Sequence, residues 1–147
     1  MQAIILAAGQ GTRLRSVSPS KPLTPVAGRP LILRILDRLA LAGVSRPLVI
    51  TGYRGDEVAA VVEAWGAETV HNDDWAQPNG VSVLSAAPRL EAQSLLVMAD
   101  HLASPGLYAA VAASGRSDDH SNQGWLGQFR RSCQRCRSGC GRMGVSN

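Results

Sequence analysis

The feature that most constrains this chain is an apolar run, Ala3 to Ala7, that passes directly into a glycine-bearing turn, Ala8-Gly9-Gln10-Gly11-Thr12-Arg13-Leu14. A short run of that character suits a strand buried on both faces. Gly9 and Gly11 allow φ > 0 and close approach of the backbone to a ligand. Successive amide N–H groups in such a turn form a nest for an anion. Arg13 can fork onto phosphate oxygens, and Lys21, followed by Pro22, adds a mobile point charge. Together these groups suit a polyanion such as a nucleoside triphosphate. Two other phosphate-binding turns fit badly. A dinucleotide fingerprint needs a third glycine where Leu14 stands, and a P-loop needs Gly-Lys-Ser/Thr directly after its loop. The bland alternative is an ordinary strand-to-helix turn with solvated basic residues. The added Thr12-Arg13-Leu14 and the proline-flanked lysine favour the ligand-binding reading.

The rest of the body repeats strand, turn and helix. Pro30 opens a helix whose apolar face uses Leu31, Ile32, Ile35, Leu36, Leu39 and Ala42, and Gly43 ends it. Leu48 to Thr51 form a second buried strand. Gly52-Tyr53-Arg54-Gly55 is a turn, and Asp56 is placed to cap a helix through Val58, Val61 and Val62. Glu68 to His71 form a third strand, Asn72 to Gly80 a polar loop, Val81 to Ala87 a short helix, and Ser94 to Ala99 a fourth strand ending at Asp100-His101. A last helix runs from Pro105 or Gly106 to about Ala113. The alternation argues for α/β, with right-handed crossovers placing the strands in one parallel sheet. Gly9, Gly52, Asn72 and Asp100 then fall at the carboxyl ends of the strands, where ligands bind in such sheets.

Composition narrows the function classes. A net charge of +4 over 147 residues lies mostly near the C-terminus, so nucleic-acid binding has no patterned support. No apolar run is long enough to span a bilayer, and no basic n-region precedes the first apolar run. The only cysteines are Cys133, Cys136 and Cys140, so the body carries no disulfide framework and reads as cytoplasmic.

The segment from Leu6 to Ile32 resembles the N-terminal signature of the sugar-nucleotide pyrophosphorylases, the broad GT-A-like nucleotidyltransferase family. That signature is Leu-Ala-Ala-Gly-x-Gly-Thr-Arg-Leu followed by Pro-Lys-Pro-Leu-x-Pro-Val-x-Gly-x-Pro-Leu. Ser20 replaces the proline before the lysine, which leaves the charge in place. The resemblance covers residues 1 to about 113. It implies a Rossmann-like three-layer α/β sandwich with a mostly parallel sheet, the N-terminal half of a nucleotidyltransferase domain. It implies transfer of NMP from an NTP to a phosphorylated small-molecule acceptor with release of pyrophosphate. Leu6, Ala7, Ala8, Gly9, Gly11 and Thr12 would line the nucleotide, Arg13 would hold its phosphates, and Lys21 would neutralise charge at the α-phosphate.

Two further segments carry site candidates. Asn79-Gly80-Val81-Ser82 occupies the position of the family's base-recognition loop. Asn79 offers donor and acceptor, Gly80 admits a flat base, and Ser82 adds a hydroxyl; a plain Asn-Gly turn with a serine cap is the structural alternative. The Asn-Gly-x-Ser form resembles CTP-using members, inositol-1-phosphate and phosphocholine cytidylyltransferases in particular, so CTP is the expected nucleotide. Asp100, at the end of an apolar strand, matches the family's metal-binding aspartate and is the expected Mg²⁺ ligand, with substrate phosphates completing the octahedron. A turn or cap aspartate is the alternative. His101, Arg54, Trp65, Trp75 and His71 carry no catalytic assignment; the two tryptophans are expected to pack on the flank of the sheet.

Residues 114–147 change character. They are rich in Ser, Arg, Gly, Cys and Gln without apolar period, and are expected to be a disordered basic tail. A functional basic tail and a zinc site on Cys133, Cys136 and Cys140 with His120 are both conceivable. Translation in a shifted frame of a GC-rich gene is the favoured reading, because the family's acceptor-binding half is expected there. On that reading the chain is an incomplete fragment. A nucleotide-binding module without turnover, or a nonfunctional product, are the alternatives to an active enzyme.

Overall fold

The computed structural model describes residues 1–11 and 20–114. Thr12, Arg13, Leu14 and the whole cysteine-bearing segment lie outside the described residues. Strand β1 (Gln2–Leu6) is buried along its entire length. It pairs in parallel with β4 (Arg46–Thr51) on one side and with β6 (Ser94–Met98) on the other. Strand β5 (Glu68–His71) adds to β4, also in parallel, giving the order β5-β4-β1-β6. The expected parallel sheet is present, with β1 at its centre.

The alternation of β1 divides the core into two layers. Ala3, Ile5 and Ala7 face a cluster containing Ile32, Ile35, Leu36 and Leu39 of α1 (Leu31–Leu41), Val58 and Val62 of α2 (Gly55–Trp65), and Tyr108 of α4 (Pro105–Ser114). Ile4, Leu6 and Ala8 face the other way, onto Leu48, Ile50 and Ala86, with Val83 of α3 (Asn79–Ser85) and Trp75 packed against them. This is the three-layer arrangement expected of a sheet whose strands are apolar on both faces. The buried positions of α1 follow the i, i+3, i+4, i+7 stripe read from the sequence.

Three local readings are corrected. Asp56 does not cap α2, because the helix begins two residues earlier than that cap would allow, at Gly55, and Arg54 occupies the cap position at φ 51°, ψ 39° with no side-chain cap bond. A Cβ on Gly55 would meet the His71 ring at 2.7 Å, so only glycine lets this first turn lie against the sheet. Helix α3 starts at Asn79 rather than Val81. Pro78, at φ −55°, fixes the entry, and its carbonyl accepts the Val81 N–H at 2.9 Å. The sequence reading also missed a small antiparallel hairpin, β2 (Pro25–Val26) with β3 (Arg29–Pro30). Its turn residues, Ala27 and Gly28, both have positive φ, as a tight two-residue hairpin requires. Arg34 of α1 ties it down through the Val26 and Ala27 carbonyls, at 2.6 and 2.8 Å.

Candidate functional site

A pocket of about 210 Å³ opens at the carboxyl ends of β1 and β6. Leu6, Ala7 and Ala8 form its base, Gly9 and Gly11 one rim, and Lys21 and Pro22 an adjoining wall. Asn79 and Ser82 of α3 face them, and Met98, Ala99 and Asp100 complete the lining. The backbone of neighbouring strands fixes the exit of β1. Ala7 N–H donates to the Ile50 carbonyl at 2.9 Å, Ala99 N–H to the Leu6 carbonyl at 3.1 Å, and Tyr53 N–H to the Ala8 carbonyl at 3.0 Å.

Lys21 enters on a single 3-10 turn, Lys21–Leu23, anchored by buried Pro22. Its Nζ donates to Asp100 Oδ2 at 2.8 Å, joining residues 79 positions apart in sequence. The route of this side chain depends on Gly11, which has φ 58° and whose missing Cβ would lie 2.8 Å from the Lys21 Cβ. Of the two loop glycines, only Gly11 uses its conformational freedom; a Cβ on Gly9 would meet nothing within 4 Å. Gly11→Ala is therefore expected to cost about 1–3 kcal/mol through strained φ and a displaced lysine. Chemical denaturation measures the cost, and Gly9→Ala serves as the mild control.

Asp100 has two oxygens in different circumstances. Oδ2 is held by Lys21. Oδ1 is buried and has no hydrogen-bond partner among the described residues. His101 Nδ1 lies 2.5 Å from it, a contact that is an ion pair only when the ring is protonated. Burial raises the Asp100 pKa. The hydrogen bond and charge of Lys21, together with the His101 ring beside the carboxyl, outweigh it and hold the carboxyl below its ordinary value. The group is an anion with one oxygen that takes no part in the Lys21 bond. That donor fits a hard divalent cation such as Mg²⁺, which takes one or two carboxylates and draws its remaining ligands from water and phosphate. No cluster of three or more metal-ligating side chains occurs among the described residues.

Of the expected site residues, Leu6, Ala7, Ala8, Gly9, Gly11, Lys21, Asn79, Ser82 and Asp100 meet in this one pocket. Gly80 stands between Asn79 and Ser82 in the first turn of α3 but is not among the described lining residues. Thr12 and Arg13 lie outside the described residues. Arg54 turns away to pair with Glu57 at 2.6 Å. Trp65 donates its indole N–H to Asp37 at 2.8 Å and so links α2 to α1. Trp75 packs on Tyr53 with ring centroids 5.3 Å apart. Sequence reasoning placed Asn72 at the carboxyl end of its strand but missed its role as a buried amide that reaches Ser82 from outside the pocket. Its only sequence signal is its place directly after β5.

Residues 3–124 match the MobA-like NTP transferase domain. The chain belongs to this family. Over 106 residues it is 40% identical to the bifunctional IPC transferase and DIPP synthase of Rubrobacter xylanophilus, covering 70% of this chain and 24% of that protein. Over 98 residues it is 34% identical to the bifunctional protein GlmU of Carboxydothermus hydrogenoformans, covering 67% and 21%. The chain thus spans about a quarter of the length of the curated relatives it matches. Among solved structures, the inositol-1-phosphate CTP transferase of T. maritima is similar at a TM-score of 0.64 and 30% identity, covering 81% of this chain and 49% of that one. The CTP:phosphocholine cytidylyltransferase of Streptococcus pneumoniae is similar at a TM-score of 0.61 and 35% identity, covering 67% and 44%. A nucleotidyl transferase of Methanothermobacter gives a TM-score of 0.68 at 27% identity, covering 76% and 56%. The resemblance read from Leu6 to Ile32 and the α/β nucleotidyltransferase fold both stand. No helix among the described residues is long and apolar enough to cross a membrane.

Proposed function

We propose that this domain transfers a nucleoside monophosphate, CMP in particular, from an NTP to a phosphorylated small-molecule acceptor. The observation that carries the reading is the Lys21–Asp100 pair set across the glycine turn, with the Asp100 Oδ1 left unbonded beside it. The Asn79-Gly80-Val81-Ser82 sequence and the similarity to two CTP-using transferases support CTP as the donor.

In the proposed reaction the base lies against Asn79 and Ser82, and the triphosphate follows the turn from Ala8 to Gly11. Arg13, in the segment after Gly11, is proposed to hold the phosphates. An oxygen of the acceptor phosphate attacks the α-phosphorus in line. The new phosphoanhydride bond forms as the bond to the β-phosphate breaks, and pyrophosphate leaves with the electron pair. The attacking phosphate is already an anion, so no general base is required. The domain's work is to hold two anions together and screen their repulsion. Asp100 would hold Mg²⁺, which supplies charge neutralisation across the phosphates. Lys21, whose ammonium is paired with Asp100 in this structure, would supply positive charge to the α-phosphate.

Lys21→Ala is expected to weaken Mg-CTP binding by about 1.5–3 kcal/mol, the range for a hydrogen bond to a charged group. Calorimetric titration of the full chain reads this directly, with Mg-ATP binding more weakly than Mg-CTP to the unmodified protein. Unchanged CTP affinity in the variant would remove Lys21 from the site.

A further inference from the structure

The geometry points to Asn72 as a positioning residue that fixes which way the Ser82 hydroxyl faces, and so what kind of atom the base-side wall of the pocket accepts. This inference rests on the nucleotide reading above. Asn72 is 3% exposed and stands just after β5, its own N–H donating to the Thr51 carbonyl at 2.8 Å. Its side chain makes two bonds of opposite polarity. Oδ1 accepts the backbone N–H of Asp74 at 3.1 Å, and Nδ2 donates to Ser82 Oγ at 3.0 Å.

The first bond settles the second. A backbone N–H can only donate, so the Asn72 atom facing Asp74 must be the carbonyl oxygen, and the atom facing Ser82 must be the NH₂. Ser82 Oγ therefore serves as acceptor toward Asn72 and keeps its own proton. No described residue takes that proton: the other hydrogen bond at Ser82 is to its backbone carbonyl, from Ser85 Oγ at 2.7 Å. Ser82 is itself 4% exposed and lines the pocket. A buried hydroxyl proton without an acceptor is costly, and an acceptor on the bound base relieves that cost. The wall thus presents a donor, suited to a carbonyl oxygen or an unprotonated ring nitrogen of a pyrimidine. A base offering only a donor at that point leaves two protons facing each other.

Asn72→Asp tests this at constant shape. Its outer oxygen can only accept, so it captures the Ser82 proton and turns lone pairs to the pocket. Binding of Mg-CTP and of Mg-tripolyphosphate, which has no base, is measured on the full chain with each variant. The expected result is about a tenfold loss for CTP in Asn72→Asp, and no change for tripolyphosphate. Ser82→Ala should give a smaller CTP loss, and adding Asn72→Asp to Ser82→Ala should cost nothing further. Equal losses for both ligands, or losses that add in the double variant, would show a purely structural Asn72 and overturn the inference. Unchanged CTP affinity in Asn72→Asp would overturn it alone, with nucleotide binding intact. If the unmodified protein binds tripolyphosphate but not CTP, the nucleotide reading and the inference fall together. Should Asn72→Asp not fold, Asn72→Ala in the same comparison is expected to lose about threefold for CTP only, and equal losses again overturn the inference.

Discussion

Asp100→Asn is expected to weaken CTP binding in the presence of Mg²⁺ by roughly ten- to a hundredfold, and to leave metal-free binding unchanged or slightly stronger. The two directions have one cause. Asparagine keeps the size of the side chain, and its carbonyl oxygen can still accept from Lys21 Nζ, now 2.8 Å from Oδ2. What disappears is the negative charge that would bind the cation. Without metal, that charge lies beside the incoming phosphates and repels them, so its removal helps. The fold should hardly notice. The Lys21 and Asp100 side chains are 30% and 27% exposed, and pairs with that access to solvent contribute about 1 kcal/mol or less. Titrations in Mg²⁺ and in chelator give the comparison. Equal losses under both conditions would make Asp100 a turn residue and leave the domain without a cation ligand among its described residues.

Gly52→Ala is expected to destabilise the domain by about 3 kcal/mol, the upper range for overpacking. The new Cβ would stand 2.4 Å from the Trp75 Cβ, and 2.9 Å from both the Ala8 Cβ and the Ala8 carbonyl oxygen. None of these is the loose end of a flexible side chain. The Ala8 carbonyl also accepts the Tyr53 N–H at 3.0 Å, so it cannot retreat without breaking the bond that fixes the exit of β1. Because Ala8 lines the pocket, the damage should reach nucleotide affinity as well as stability. Thermal unfolding should show the midpoint falling by about 10 °C. A midpoint within about 2 °C of the unmodified protein would mean that the Gly52–Ala8–Trp75 contact is looser than the structure has it.

Long periodic segments were legible in the sequence; short, cross-chain features were not. The apolar alternation of β1 and the i, i+3, i+4, i+7 stripe of α1 are local properties, and burial follows them residue by residue. The parallel sheet followed because strands separated by helices have few other ways to pair. The β2–β3 hairpin pairs only two residues on each side and places Pro25 opposite Pro30, so no strand signal could build up. The start of α3 was misjudged because Asn79-Gly80 reads as turn chemistry, while Pro78 makes it the first turn of a helix. At the site, Lys21 and Asp100 were each legible as residue types. Their direct bond was not, since it depends on the register that sets Gln2 beside Ser94. The aim of the Ser82 hydroxyl was hidden for the same reason: it is fixed by Asn72, from a different segment.

One pocket, between the Gly9–Gly11 turn and Asp100, is proposed to hold both the nucleotide and its metal. Crystals of the full chain grown with CTP and Mn²⁺, a scattering substitute for Mg²⁺, would test it most directly. An anomalous peak on the Asp100 carboxylate is expected. The triphosphate should lie along the glycine turn, with Lys21 moved from Asp100 to the phosphates and the base beside Ser82. Manganese or CTP bound elsewhere, with the Lys21–Asp100 pair still closed, would contradict it.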